Sequence, residues 1–306
     1  MREIAIVSGK GGTGKTSLAG AFARLAGRSV AVDADVDAAN LALLLPGADA
    51  PWKPFEAGRR AWIDPHGCTA CGACLEVCRF SALTQVGPCV ESDPIRCEGC
   101  GACAQVCGGQ AVSFRSHRAG EWTTRATPWG PLVHARLGVA QDSSGKLVAR
   151  LRREGRTIAQ EESLDLVLID GPPGIGCPVH AAMAGADAVV AVTEPTEAGI
   201  HDLTRVLHLA DHFGIPAGII LNKADLDAQG ARLVDTVASL LRVPILGTIP
   251  FDPKLPRLLS RAETGLEARG VREQIRACWA AVQDVFADGT CGMEEPGALE
   301  EGHRPS

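Results

Sequence analysis

The sequence predicts an α/β protein with a doubly wound parallel sheet into which a smaller α+β domain is inserted. Two observations predict the sheet: short apolar runs alternate with amphipathic stretches of helical period, and a glycine-rich loop follows the first apolar run. A third observation predicts the insert, because two cysteine-rich runs interrupt the alternation between residues 59 and 116.

The alternation gives each strand and helix in turn. The predicted strands are Ile4–Ser8, Val30–Asp33, Leu166–Asp170, Ala188–Thr193, Gly218–Leu221 and Ile245–Ile249. The predicted helices are Lys15–Ala26, Val179–Gly185, Gly199–Phe213, Ala228–Leu241 and Val271–Phe286. Right-handed crossovers between parallel strands then place helices on both faces of the sheet.

The chain is expected to divide into four parts. These are the first part of the main domain at 1–58, the insert at 59–116, the second part of the main domain at 117–287, and a Glu/Gly/Pro-rich tail at 288–306. The tail is predicted to be disordered because it has few apolar residues. Residues 46–66 are predicted to form a linker, and 116–163 hairpins or irregular structure around PLVHARL and GKLVARLRREG.

Composition limits the classes of function. The 306 residues have room for about two domains, and the formal net charge of −6 makes nucleic acid and anionic membranes poor partners. No apolar run is long enough to cross a membrane, and no export signal precedes the strand-like EIAIVS. Eight of the 12 cysteines bunch at metal-ligand spacing, so we expect a cytoplasmic, metal-binding protein.

The segment GKGGTGKT, residues 9–16, matches a phosphate-binding loop between a strand and a helix. Lys15 is expected to reach the β- and γ-phosphates, and the Thr16 hydroxyl to bind Mg²⁺. The alternative is a glycine-rich turn without a ligand. The residues expected around the phosphates are Gly9, Lys10, Gly11, Gly12, Thr13, Gly14, Lys15, Thr16 and Ser17.

Two further segments are expected to complete the nucleotide site. Asp170 ends the apolar run of DLVLIDGPPG, where a carboxylate is placed to contact Mg²⁺ or its ligands. The segment IILNKAD places Asn222, Lys223 and Asp225 at the carboxyl end of another strand, where α/β sheets bind ligands. By itself N-K-x-D suggests guanine. The next strand-end loop, with Pro250, Phe251 and Asp252, is expected to flank the base.

The insert holds two copies of the spacing C-x2-C-x2-C-x3-C, the run typical of bacterial two-cluster ferredoxins. In that arrangement the fourth cysteine of each run binds the other run's cluster, so two [4Fe-4S] clusters are predicted. One ligand set is Cys68, Cys71, Cys74 and Cys107, and the other is Cys97, Cys100, Cys103 and Cys78. Arg79 and Gly108 replace the proline that usually follows the fourth cysteine. Zinc is the alternative occupant.

The second lysine of the loop, Lys10, gives the sequence KGGTGKT, which resembles the MinD/ParA group, a group that includes Mrp-type proteins and the nitrogenase iron protein. The resemblance implies that Lys10 reaches the partner's phosphates in a nucleotide-sandwich dimer, and that Asp35 orients the attacking water. It also implies adenine rather than guanine, hence ATP, with the Asn222 amide at the ring edge. Cys177 lies where the nitrogenase iron protein has an interface cluster ligand, although a buried thiol is the commoner role.

Together the motifs resemble MinD-superfamily ATPases that carry an inserted ferredoxin domain. The main hypothesis is an ATP-hydrolysing, nucleotide-gated electron-transfer protein that uses ATP, Mg²⁺ and two [4Fe-4S] clusters. Its expected partners are a second copy or a related ATPase in a nucleotide-dependent dimer, and a redox or iron–sulfur protein. The alternatives are an Mrp-type iron–sulfur scaffold, although the C-terminal C-x-x-C of those relatives is missing here, and a ParA/MinD-like positioning ATPase.

Overall fold

The computed structural model describes residues 1–138 and 144–286. Its strands are β1 Arg2–Ser8, β2 Val30–Asp33, β3 Ala48–Asp49, β4 Lys53–Ile63, β5 Leu83–Val86, β6 Cys89–Ser92, β7 Val112–Thr127, β8 Gly130–Leu137, β9 Leu166–Pro173, β10 Ala188–Thr193, β11 Ala217–Asn222 and β12 Ile245–Ile249. Its α-helices are α1 Lys15–Ala26, α2 Leu41–Leu44, α3 Ala73–Val77, α4 Ala102–Gln105, α5 Ser144–Glu161, α6 Cys177–Met183, α7 Glu197–His212, α8 Ala228–Leu241, α9 Leu255–Leu259 and α10 Arg272–Val285.

Within the described ranges one ten-stranded sheet forms the centre of the molecule, with the strand order β12-β11-β10-β1-β9-β2-β8-β7-β3. The strands from β12 to β8 pair in parallel, and β7 joins β8 antiparallel. Strand β4 pairs with β7 beyond this path. The predicted parallel α/β sheet is confirmed, and β7 with its neighbours adds an antiparallel margin.

Both faces of the sheet are covered, because the side chains of each central strand alternate between two apolar cores. In β1, Ala5 and Val7 belong to the core packed under α5, α6 and α7, while Ile4 and Ile6 belong to the core under α1 and α10. Phe22 of α1 meets Trp279 of α10 with ring centroids 5.2 Å apart. This helix–sheet–helix arrangement is the doubly wound architecture that the sequence predicts.

The prediction of hairpins or irregular structure across residues 116–163 was only partly right. PLVHARL lies in β8, which forms a hairpin with β7, whereas GKLVARLRREG lies in helix α5. Leu147, Leu151 and Ala159 recur at helical spacing and are fully buried, and Gly155 between them lets the helix approach the sheet closely. The charged residues around this apolar stripe obscure its period in the sequence.

The predicted linker at 46–66 was also wrong for most of its length, because β4 occupies residues 53–63. This strand pairs antiparallel with the far half of β7, and the predicted boundary residues Arg59 and Ser116 face each other in that pairing. The two strands form a ribbon that carries the cysteine runs, a smaller β5–β6 hairpin and the short helices α3 and α4. The predicted disordered tail at 288–306 lies outside the described residues.

Among the described helices, none combines the length and the apolar character needed to span a membrane. The last of them, α10, buries Ile275, Trp279 and Val282 against the sheet, as its sequence predicts. Its apolar face is therefore part of the core.

Candidate functional site

The candidate nucleotide site lies at the carboxyl ends of the parallel strands. The loop between β1 and α1 holds residues 9–14, and the ends of β2, β9, β10 and β11 face it. Left-handed backbone at Gly12 (φ 83°) and Gly14 (φ 94°) bends this loop. A side chain at Gly14 would meet the Asn222 amide 2.3 Å away, so glycine is required there by backbone and by space.

Lys15, the first residue of α1, lies among carboxylates. Its Nζ is 2.7 Å from Asp170 Oδ1 and 3.5 Å from Asp35 Oδ2, and the residue is only 5% exposed. Burial disfavours the lysine's charged form, but the two aspartates outweigh it and raise its pKa. The lysine is thus held as a cation where the phosphate-loop motif requires one.

Two aspartates at this site each have one buried oxygen without a hydrogen-bond partner in the described part of the chain. Among the described residues, Asp170 Oδ2 and Asp33 Oδ1 are buried and form no hydrogen bond. The Thr16 hydroxyl accepts from Lys15 Nζ at 3.3 Å, the same ammonium that contacts Asp170. Carboxylate and hydroxyl oxygens are the ligands that Mg²⁺ prefers, so these residues fit the expected ion.

Asp33 is a site residue to which the sequence assigned no firm role. It is fully buried, is the register partner of Asp170, and accepts a 3.0 Å hydrogen bond from the Leu41 amide. Burial, together with the neighbouring Asp170, raises its pKa well above the usual range. The signal available in the sequence was the D-x-D-x-D pattern that follows β2.

Of the six residues expected near the base, all but Asp225 line a cavity of about 220 Å³ next to the loop. Those lining it are Gly12, Gly14, Ser17, Asn222, Lys223, Pro250, Phe251 and Asp252, backed by apolar side chains such as Leu255 and Ile275. The Asn222 amide donates to the Thr13 carbonyl at 2.7 Å. The Asp225 carboxylate accepts a hydrogen bond from the Phe251 amide at 2.6 Å and so holds the loop that follows β12.

Lys10 points to an acceptor on its own chain. Its ammonium forms a close ion pair with Glu194, just after β10, and donates to the Thr196 hydroxyl at 3.1 Å. Glu194 also accepts from Lys223 at 2.8 Å, and Lys223 donates to the Gly12 carbonyl at 2.9 Å. Glu194 lies far from both lysines along the chain, and no motif predicts its contact with them.

In the insert, the fourth cysteine of each run lies near the opposite run, and the two predicted ligand sets stay predictions. The small cavity at one set is lined by Cys78, Cys97, Cys100 and Cys103. In the other set, burial raises the pKa of the Cys74 thiol, and the neighbouring Cys68, Cys107 and Cys71 raise it further. Each fourth cysteine therefore lies with the opposite run.

The two runs also share one local geometry. The Cys78 sulfur accepts from the amide of Ala82, and the Cys107 sulfur from the equivalent Ala111, at 3.4 and 3.3 Å. Helices α3 and α4 each begin after a left-handed glycine, Gly72 or Gly101. The insert is thus an internal repeat in structure as well as in sequence.

In the described part of the chain, no group of three or more His, Cys, Asp or Glu side chains is placed so that it could hold a metal ion. Cys89 is half-buried and Cys278 is buried, and burial raises the pKa of the Cys278 thiol to about 11. Cys177 is exposed at the start of α6, so the expectation of a buried thiol there was wrong. Its role as an interface ligand stays a prediction.

Comparison with known proteins finds relatives that match most of the chain. The uncharacterized protein MJ0578 of Methanocaldococcus jannaschii is 32% identical over 264 residues, which cover 84% of this chain and 87% of that protein. The uncharacterized ATP-binding protein MJ0547 of the same organism is 25% identical, over 82% of this chain and 74% of its own length.

Solved structures share the fold. The cell division ATPase MinD of Pyrococcus furiosus has a TM-score of 0.57 at 19% identity, covering 93% of this chain and 99% of that one. The septum site-determining protein MinD of Pyrococcus horikoshii, solved with Mg-ADP, has the same TM-score at 18% identity, covering 95% and 99%. The model of the CobQ/CobB/MinD/ParA nucleotide binding domain matches residues 4–265. The chain therefore belongs to the CobQ/CobB/MinD/ParA family of nucleotide-binding domains.

Proposed function

We propose that this protein is an ATP-binding and ATP-hydrolysing switch of the MinD/ParA type that dimerises around its nucleotide. The observation that carries the proposal is Lys15, a buried cation held between Asp35 and Asp170 under a glycine-rich loop. ATP-binding and ATPase activity in the names of similar proteins support the choice of reaction. These comparisons favour the positioning-type ATPase over the electron-transfer protein that the cysteine runs first suggested.

The proposed reaction depends on charge and orientation. Lys15 binds the terminal phosphates, and Thr16 and Asp170 would hold Mg²⁺, which neutralises the charge between the β- and γ-phosphates. Asp35 orients the attacking water, and Lys10 supplies a second cation to the nucleotide of the partner copy. Pro250, Phe251 and Asp252 flank the adenine, and Asn222 and Lys223 lie beside it.

Calorimetric titration with ATP, ADP and GTP, together with phosphate release, tests the proposal. We expect ATP to bind in preference to GTP, and Lys15→Ala to lower hydrolysis by about 100-fold or more, as loss of an electrostatic transition-state contact does. Lys146→Ala, an exposed lysine on α5, is the matched control and should behave as wild type. Failure of the wild-type protein to bind ATP contradicts the proposal.

A second candidate function is favoured by the insert, for which we propose two [4Fe-4S] clusters and transfer of electrons to a redox or iron–sulfur partner protein. Its support is the crossed arrangement, with Cys78 beside Cys97, Cys100 and Cys103. The repeated C-x2-C-x2-C-x3-C spacing favours a four-iron cluster over a zinc ion at each set. Backbone amides that donate to Cys78 and Cys107 would stabilise a cluster's negative charge.

A series of contacts through α2 and β7 links the nucleotide site to the insert, which supports nucleotide gating. Asp33 holds the Leu41 amide at the start of α2, and Arg125 Nη1 donates to the Ala42 carbonyl of the same helix at 2.6 Å. Arg125 belongs to β7, whose other half forms the ribbon that carries the cysteines. A movement of α2 would therefore reach the insert through one strand.

Anaerobic purification followed by iron and sulfide analysis tests the second function. We expect about eight iron atoms per chain, as two four-iron clusters require, and fewer in Cys78→Ser or Cys107→Ser. Cys89→Ser, a cysteine outside both sets, is the control and should keep all the iron. Iron-free or zinc-bound protein contradicts the iron–sulfur proposal and leaves the ATPase proposal intact.

A further inference from the structure

Glu194 is a buried acid that the reaction described above does not use. The residue is 9% exposed at the end of β10, yet its carboxylate meets two lysines from different loops. Burial opposes its ionisation, but the hydrogen bonds from Lys10 and Lys223 outweigh it and lower its pKa. A carboxylate in this position is therefore an anion that binds two cations.

The contacts hold Lys10 against its own subunit. Its ammonium is paired with Glu194 and donates to Thr196, the residue that caps α7 by accepting from the Gly199 amide at 3.1 Å. Secondary structure fixes both residues that bind Lys10: Glu194 directly follows β10, and Thr196 is the N-cap of α7. The lysine cannot extend to a second molecule until the ion pair with Glu194 opens.

We propose that Glu194 is a positioning residue that retains Lys10 in the nucleotide-free subunit and thereby opposes dimerisation until ATP is bound. The inference rests on the proposed function, in which Lys10 acts on the nucleotide of a second copy. When Lys10 leaves, Glu194 keeps Lys223 as its counter-ion, so the buried carboxylate is not left uncompensated. The shared acid thus makes release of Lys10 less costly than breaking an isolated buried pair.

The retention step is tested on the nucleotide-free protein by acetylation of lysines followed by mass spectrometry. In Glu194→Gln, Lys10 should react about five times faster than in wild type, because the variant lacks the partly exposed ion pair that holds its ammonium, and such a pair contributes about 1 kcal/mol or less. The exposed Lys53 serves as the internal reference. Glu197→Gln, which removes an exposed acid three residues away, should leave Lys10 unchanged. Equal Lys10 reactivity in wild type and Glu194→Gln overturns the inference.

The proposed effect of Glu194 on dimerisation is tested by sedimentation in a titration with a non-hydrolysable ATP analogue. Glu194→Gln should dimerise at about fivefold lower analogue concentration than wild type, and the shift should vanish in the Lys10→Ala background. A shift that persists without Lys10, or no shift at all, overturns the inference while the proposed function stands. Wild-type protein that binds the analogue but never dimerises overturns the proposed function, and the labelling result then still reports whether Glu194 retains Lys10.

Discussion

At the scale of single residues, the nucleotide site is a balance between one buried lysine and several carboxylates. Lys15 pairs with Asp170 and Asp35 directly, while Asp33 is buried beside Asp170, and burial together with that neighbour raises its pKa. An incoming triphosphate adds further negative charge. The site therefore needs a divalent cation or the displacement of one carboxylate to hold ATP.

Removing the carboxylate of Asp35 separates binding from hydrolysis. Asp35→Ala should hydrolyse ATP about 100-fold more slowly or worse, because no other group is expected to orient the attacking water, while its ATP affinity is kept or improved. Calorimetry and phosphate release measure the two effects. Asp37→Ala, an exposed neighbour, is the matched comparison. An Asp35→Ala protein with wild-type turnover would contradict the assigned role.

His134 provides a pH dependence of stability. It is 4% exposed, lies 3.0 Å from Asp49 and packs edge-on against Trp52, and burial lowers its pKa despite the nearby carboxylate. The unfolded chain therefore binds a proton at His134 more readily than the folded one. The contribution of neutral His134 to the free energy of unfolding is present above about pH 6.5 and is lost as the pH falls toward the folded-state pKa.

Urea unfolding at pH 7.5 and 5.5 measures this effect. The free energy of unfolding of wild type should fall on acidification by more than that of His134→Asn. Replacing an exposed histidine, His208→Asn, should leave the difference in the free energy of unfolding between the two pH values as in wild type. Identical pH dependence in all three proteins would show that His134 titrates alike in the folded and unfolded states.

At the scale of elements, much of the fold follows from pattern, and the failures have identifiable causes. Predicted β2, β10, β12, α1 and α8 agree with the structure residue for residue, because their apolar runs and helical periods are uninterrupted. Helix α5 was missed because arginines and glutamates dilute its apolar stripe. Strand β4 was missed because Pro54 and Gly58 disguise a strand whose side chains alternate between buried and exposed.

The candidate site was likewise predictable only in part. Motif spacing was enough to predict that Lys15 and Asp170 lie at one site, and the structure brings them to within 2.7 Å. The contact between Lys10 and Glu194 was not predictable, since it depends on how β10 and the phosphate loop lie side by side in the sheet. No local pattern in the sequence encodes that distance.

Helix α5 can be tested at its closest approach to the sheet. A side-chain carbon added at Gly155 would lie 2.7 Å from Val32 in β2, so Gly155→Leu overpacks the core. We expect a loss of about 1–3 kcal/mol in the free energy of unfolding, measured with urea. Gln160→Leu, on the exposed side of the same helix, should change it by no more than about 0.5 kcal/mol.

The link between α2 and β7 predicts that nucleotide changes the mobility of the ribbon. Hydrogen exchange in residues 53–63 and 112–127 should differ between nucleotide-free and ATP-analogue-bound wild type. Arg125→Ala removes the contact to Ala42 and the ion pair with Asp49, so the difference should shrink by about half or more. Arg118→Ala, whose pair with Glu121 is exposed, should retain it. An undiminished difference in Arg125→Ala would place the coupling elsewhere.

At the scale of the whole molecule, one sheet connects the nucleotide site to the cysteine ribbon. Strand β2, which leads to Asp35, is separated from β7 by β8 alone, and β7 continues into the insert. The same edge of the sheet presents the phosphate loop and Lys10. Dimerisation around ATP would therefore act on the strands from which the insert extends.

The most direct test of this account is the sedimentation of the wild-type protein, purified without oxygen, in the presence of ADP or a non-hydrolysable ATP analogue. The account predicts monomers with ADP and dimers with the analogue. The same mass in both nucleotides, with binding verified by calorimetry, would contradict it.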